Sequence, residues 1–197
     1  MSMKNRNEDG FTGLEAAIVL IAFVVVAAVF SYVVLGAGFF TTQKSQQVVH
    51  AGVTQAASNI VVKGEVYGLN SSAIPIDAVS VIRFDIGLAA GGLPVDVDRM
   101  TIVMSTNASV TTLSQTQTAN MDPTSNTWNV QSTNNAGSGT DHLLQADEVF
   151  TIYLKPNTTQ PLYPRTVFNI ELKPETGASL GIMRTIQPGL SNVNLLY

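Results

Sequence analysis

The chain has 197 residues, with ten Lys and Arg against fourteen Asp and Glu and a formal net charge of −4. Charged residues make up only 12%, about half the usual share, and the scattered cations form no basic stripe, which argues against nucleic acid as a partner. The chain has no cysteine, so disulfides, iron–sulfur clusters and thiolate zinc sites are excluded and stability outside a cell must come from packing.

A charged preface carrying Lys4, Arg6, Glu8 and Asp9 ends at Gly10, and from Ala16 to Phe40 the chain runs 25 residues without a charge. A secretory signal needs an apolar core of roughly 7–15 residues followed by a cleavage site, so this run is too long. It is long enough for a transmembrane helix, which takes about 20 apolar residues. Lys4 and Arg6 favour a cytoplasmic N-terminus, although Glu8 and Asp9 stand between them and the run. Charges, then glycine, then an apolar helix place a processing site before the helix and not after it. Thr12-Gly13-Leu14-Glu15 has capping-box spacing, and a carboxylate suits a helix N-terminus.

Residues 41–62 keep a helical period, with Val49, Val53, Ala56 and Ile60 at i, i+4, i+7 and i+11. No proline precedes Pro75. The pattern predicts one helix from about Leu14 to about Val62, roughly 75 Å long, of which a membrane uses only ~30 Å. Its first half is apolar on every side and must be surrounded by lipid or by other helices. Its second half carries a one-sided stripe suited to a protein surface. Small residues such as Ala22, Ala27, Gly36 and Gly38 let helices approach closely, a composition that membrane spans share.

From about Gly64 the pattern changes to strands and turns. Ile82, Phe84, Ile86 and Leu88 alternate, as do Phe150, Ile152 and Leu154, and Phe168, Ile170 and Leu172; each set predicts one buried sheet face. The last two runs end in Lys-Pro, where the ladder must stop, and Gly91-Gly92-Leu93-Pro94 signals a turn. The predicted fold class is α+β: one long hydrophobic helix, then an antiparallel β-sandwich. Residues 105–140 read differently. Of these 36, 24 are Ser, Thr, Asn or Gln and Asp122 is the only charge, so the stretch is expected to form solvent-facing loops with short strands near Leu113 and Trp128, and not to fill a core.

Three segments match the N-glycosylation pattern, at Asn70, Asn107 and Asn157; the alternative for each is a polar turn. Catalytic signals are weak. His50 lies on the helix stripe and His142 in a polar loop beside Asp141, and adjacent residues of a strand point to opposite faces. Asp96 with Asp98, and Asp147 with Glu148, offer oxygen ligands to a hard cation, but strand-end carboxylates in water account for them as well.

The segment DGFTGLEAAIVLIAFVVVAAVFSYVVLGAG resembles the N-terminus of archaeal flagellins (archaellins), which carry a class III, type IV pilin-like leader. IGLAAGGLPVDVDRMTIVM and the closing GASLGIMRTIQPGLSNVNLLY resemble later parts of the same family. The resemblance implies a leader at 1–10 cut between Gly10 and Phe11 by a membrane aspartyl peptidase, a polymerisation helix at 11–62, and an immunoglobulin-like surface domain at 63–197. It implies a structural subunit of a rotating extracellular filament for swimming, with no cofactor and no catalysis. Implied partners are further copies of the chain and related archaellins, the leader peptidase, and an ATPase with a membrane platform protein; the precursor waits in the cytoplasmic membrane. Glu15 becomes the fifth mature residue, placed to neutralise the new Phe11 amine of a neighbouring chain. Two alternatives remain at this level: an adhesion pilin with the same leader, and a membrane-anchored binding module whose helix stays in lipid with Gly10 uncut.

Overall fold

The computed structural model describes residues 6–70, 77–116, 123–135 and 142–197. They fall into two units that divide after Ala51.

Helix α1 runs Arg6–Ala57, and both ends differ from the sequence expectation. It begins inside the charged preface, so Gly10, Phe11 and Glu15 are all interior to it. It ends before Val62, where Ser58 N–H donates to the Thr54 carbonyl at 3.0 Å and Asn59 N–H to the Ala57 carbonyl at 3.1 Å. The Asn59 side chain covers one more orphan carbonyl, donating from Nδ2 to Ala56 O at 2.9 Å. Ile60–Val62 is then strand β1, and not the last helical turn. Ile60 met the helical period, yet it is buried by pairing with Leu88 across a sheet. A β-branched Ile-Val-Val run favours that outcome, and a short apolar run fits either period.

The remaining strands are β2 (Val66–Leu69), β3 (Val81–Leu88), β4 (Val95–Asp96), β5 (Thr101–Thr106), β6 (Val110–Gln115), β7 (Thr127–Asn134), β8 (Leu143–Leu144), β9 (Val149–Lys155), β10 (Val167–Lys173), β11 (Leu180–Thr185) and β12 (Val193–Leu196). Hydrogen bonding gives the order β11-β10-β5-β6-β7-β9-β3-β2-β12, with β1 also on β3 and a separate β4-β8 pair. The long path is two leaves joined at one seam. β6 and β7 meet there in parallel through only Ser114↔Thr127 and Gln115↔Trp128; every other strand pairing is antiparallel.

One core lies between the leaves. Ile102, Leu113, Phe168 and Ile170 from the first leaf cluster with Phe84, Trp128, Phe150 and Ile152 from the second. The predicted alternations hold: Ile82, Phe84, Ile86, Leu88, Phe150, Ile152, Leu154, Phe168, Ile170 and Leu172 are all buried. Strands β9 and β10 stop at Lys155 and Lys173, as the following prolines require. At the predicted turn, Gly91 takes φ +74, and Gly92 N–H closes it on the Ala89 carbonyl at 2.9 Å.

The polar stretch 105–140 needs correction. Strands form around Leu113 and Trp128 as expected, but the stretch does fill core. Trp128 is 0% exposed and among the largest fully buried side chains, and β7 is an interior strand paired along β9. Hydroxyl and amide side chains alternate with Leu113, Trp128 and Val130, and a strand needs only every second residue to be apolar. Positions 117–122, with Asp122, and 136–141, with Asp141, lie outside the described residues.

Candidate functional site

The exposed apolar helix is the dominant feature for function. Over Gly13–Ala57 it is long and apolar enough to cross a membrane, with none of it buried. Phe23, Phe30, Tyr32 and Phe40, spread around the helix, are each more than two-thirds exposed. Val and Ile are mediocre helix formers in water, so a helix this rich in them is suited to an apolar surrounding. Where the run turns polar, the hydroxyls of Thr41 and Thr42 donate to the carbonyls of Ala37 and Gly38, both at 2.8 Å. Each hydroxyl thereby satisfies itself within its own helix and adds no unmet polar group to the boundary.

Gly10 and Phe11 sit within continuous helix, and Glu15 is exposed on it. In the uncut chain, therefore, Glu15 does not cap the helix, which is already formed at Arg6. In a chain starting at Phe11 the same residue is the fifth, close to the positive end of the helix dipole, where a carboxylate is favourable.

The three sequon asparagines lie at strand ends. Asn70 follows β2, and its N–H donates to Asn192 O at 2.9 Å; Ser71 and Ser72 lie outside the described residues. Asn107 is exposed in the three-residue loop joining β5 to β6, where Thr106 Oγ1 accepts from the N–H groups of Ala108 and Ser109 at 3.3 and 3.1 Å. Asn157 is half-buried just past β9. Its Oδ1 accepts from Thr159 N–H at 2.9 Å and from the Thr159 hydroxyl at 2.6 Å.

Of the suspected cation and catalytic residues, Asp96, Asp98, His142 and Glu148 are engaged in hydrogen bonds or ion pairs within the β-domain. Asp96 Oδ1 caps the 3-10 turn Val97–Arg99 by accepting from Asp98 N–H, and its Oδ2 lies 3.3 Å from Arg99 Nε. Arg99 Nη1 also reaches both Glu175 oxygens, at 3.1 and 2.9 Å. That hydrogen bond first, then the nearby Glu175 and Asp96 charges, raise the guanidinium pKa above its ordinary value. Asp98 accepts from Gln115 Nε2 and meets His142 Nδ1, both at 2.6 Å. Glu148 accepts from Gln145 N–H at 2.8 Å. His142 is thus tied to Asp98, forty-four positions away; its neighbour Asp141 lies outside the described residues. Among the described residues no group of three or more His, Asp and Glu is placed to hold a metal. Sequence reasoning missed this clip because its partners come from three separate segments.

An all-round apolar helix joined in sequence to a β-sandwich with a closed core of its own defines a structural subunit: a self-sufficient domain together with a helix that other apolar surfaces must cover. A sequence model of the archaeal-type flagellin family matches residues 10–184. A probable flagellin of Archaeoglobus fulgidus is 40% identical over 97% of this chain and 96% of its own. The archaeal flagellum of Methanospirillum hungatei strain JF1 superposes with a TM-score of 0.73 at 35% identity, covering 94% of this chain and 99% of that one. A crystal structure of an archaeal flagellin from Methanocaldococcus jannaschii, 16% identical, shares the fold over 71% of this chain and 97% of its own with a TM-score of 0.59. The chain belongs to the archaeal-type flagellin family. It is a structural subunit of the extracellular archaellum filament and not an enzyme.

Proposed function

We propose that the subunit polymerises through α1 after removal of a leader at Gly10–Phe11, and that the assembled filament turns to drive swimming. The observation that carries this reading is the contrast between the two units. The β-domain buries its own core, whereas the helix presents large apolar side chains on all sides. The precursor helix rests in lipid, and the mature helix moves among the helices of its neighbours. Lipid and packed helices are similar solvents, so close packing and polar pairs must give that transfer its direction, together with outside energy. A leader peptidase, an ATPase and a membrane platform protein are the partners this scheme requires. The family match beginning at residue 10, where the charged preface ends, supports cleavage there.

Within the polymer, Glu15 is assigned the Phe11 amine of a neighbouring chain, since a carboxylate buried unpaired among apolar helices is costly. On the outer domain, at least one of Asn70, Asn107 and Asn157 carries a glycan. The bond formed joins Nδ2 to the anomeric carbon of a sugar delivered by a lipid- or nucleotide-phosphate donor. The donor phosphate leaves with the bonding pair, and Nδ2 gives up one proton.

Mass spectrometry of filaments sheared from cells tests the whole reading. The expected result is this chain, starting at Phe11, as a filament constituent. Recovery only from membrane extracts, as an uncut monomer, would establish the anchored binding module instead. Recovery in filaments that mediate attachment and never rotate would establish the adhesion pilin.

A further inference from the structure

The outer domain contains a cavity of about 340 Å³, within the range of small-molecule sites, ~300–1,000 Å³. It lies among the β5–β6 loop, the inner face of β6, and the segment 156–166 that follows β9. Two of the three sequon asparagines, Asn107 and Asn157, line this one cavity although fifty positions separate them. Among the described residues no Asp, Glu, Lys, Arg or His lines it. The described walls give a metal ion, a phosphate or a charged metabolite no countercharge.

What the walls do offer suits a neutral polyol. The hydroxyls of Thr111 and Thr166 and the amide of Gln160 supply donors and acceptors, while Pro156, Pro161 and the ring of Tyr163 supply flat apolar faces. A pyranose has that same division, with hydroxyls around its rim and C–H groups on its faces. Asn157 is the better placed of the two attachment points. It is half-buried where Asn107 is exposed, and the Thr159 hydroxyl fixes its Oδ1 at 2.6 Å. The hydroxyl of Ser109, in the Asn107 sequon, lies instead 3.5 Å from Thr106 Oγ1.

We propose that this cavity seats the first, neutral sugars of a glycan carried on Asn157, so that the glycan is packed into the outer domain and does not merely hang from it. The inference rests on the glycosylation reading above and adds a binding site to it. A seated glycan stabilises the folded β-domain, because its contacts are lost on unfolding. A free one changes stability little.

The test uses the full chain, dissociated in detergent, from the native host and from a host that does not glycosylate it. Peptide mapping of the native material first reports whether Asn157 is occupied. Asn157→Gln and Thr159→Val remove the same sequon through different atoms. Both are expected to lower Tm by about 2–4 °C in native-host protein, the shift a modest set of contacts gives a chain of this size. Neither should show that glycan-dependent loss in the non-glycosylating host. Thr111→Phe and Thr166→Phe fill the cavity and leave the sequon intact; with Asn157 still occupied, the native-host advantage in Tm should disappear. Each variant's Tm from the non-glycosylating host serves as its own folding control. An occupied Asn157 with equal Tm from both hosts overturns the seating and leaves the modification standing. An unmodified Asn157, or a glycan found only on Asn107 or Asn70, overturns the assignment of this cavity outright.

Discussion

The carbonyl oxygen of Ser58 occupies the place that a Cβ on Gly177 would take, and Gly177 itself sits at φ +114. Two further contacts hold the same junction: Gln55 Nε2 donates to the Gly177 carbonyl at 2.8 Å, and Asn59 forms a parallel bridge with Ala178. The end of α1 is therefore fastened to the loop before β11 by backbone that tolerates no side chain. Gly177→Ala adds both a disfavoured φ and a steric overlap. The expected cost is about 2–4 kcal/mol, a fall of roughly 5–15 °C in the unfolding midpoint. Thermal circular dichroism of the full chain checks it, and an unchanged midpoint would show that the junction gives way without cost.

Trp128 carries a larger share of the core than its polar surroundings suggest. It is 0% exposed at the seam where β6 meets β7. Trp128→Ala is expected to cost about 3–5 kcal/mol, read as a lower midpoint in urea. A change under about 1 kcal/mol would mean that the two leaves do not depend on this side chain to stay packed.

Arg99 should behave in the opposite way. Its contacts with Glu175 and Asp96 are well formed, but all three side chains are substantially exposed, and surface ion pairs contribute little after screening and side-chain entropy. Arg99→Ala is expected to leave the unfolding midpoint within error at physiological salt. A clear drop would show that the Arg99–Glu175 contact does more than decorate the 3-10 turn after β4.

Glu15→Ala is expected to be processed and to reach the membrane, but to form few or no filaments. The helix already continues past Glu15 toward Arg6, so in the precursor this residue has no capping task to lose. In the filament, removing one member of a buried pair costs about 3–5 kcal/mol, against about 1 for a lost cap. Filament yield relative to membrane-bound mature subunit is the measurement, and a normal yield would remove Glu15 from assembly.

Cleavage is expected to leave Phe11 as the first residue of surface protein. Its new α-amine, with a pKa of roughly 7.7–8.0, is mostly cationic at neutral pH. Intact-mass analysis decides the point: a surface form that still begins at Met1 or Ser2, or one cut beyond Phe40, would remove both the leader and the proposed Glu15 pair.

By itself the sequence determined the apolar helix and much of the β-domain. Twenty-five uncharged residues in a row allow little but a helix that something apolar must cover, and strict alternation in β3, β9 and β10 names the buried face of each strand. Both signals are local, so they survive in one dimension. Four matters depended on distant partners. Ile60 satisfied the helical period and became a strand, because Leu88 was available to pair with it. Trp128 sat in a polar stretch and became core, because β9 and the seam with β6 closed around it. His142 found Asp98, and Asn107 met Asn157 across one cavity. Side-chain period records which face of a strand is apolar, but only the tertiary pairing of strands decides which loops converge and which polar groups share a wall.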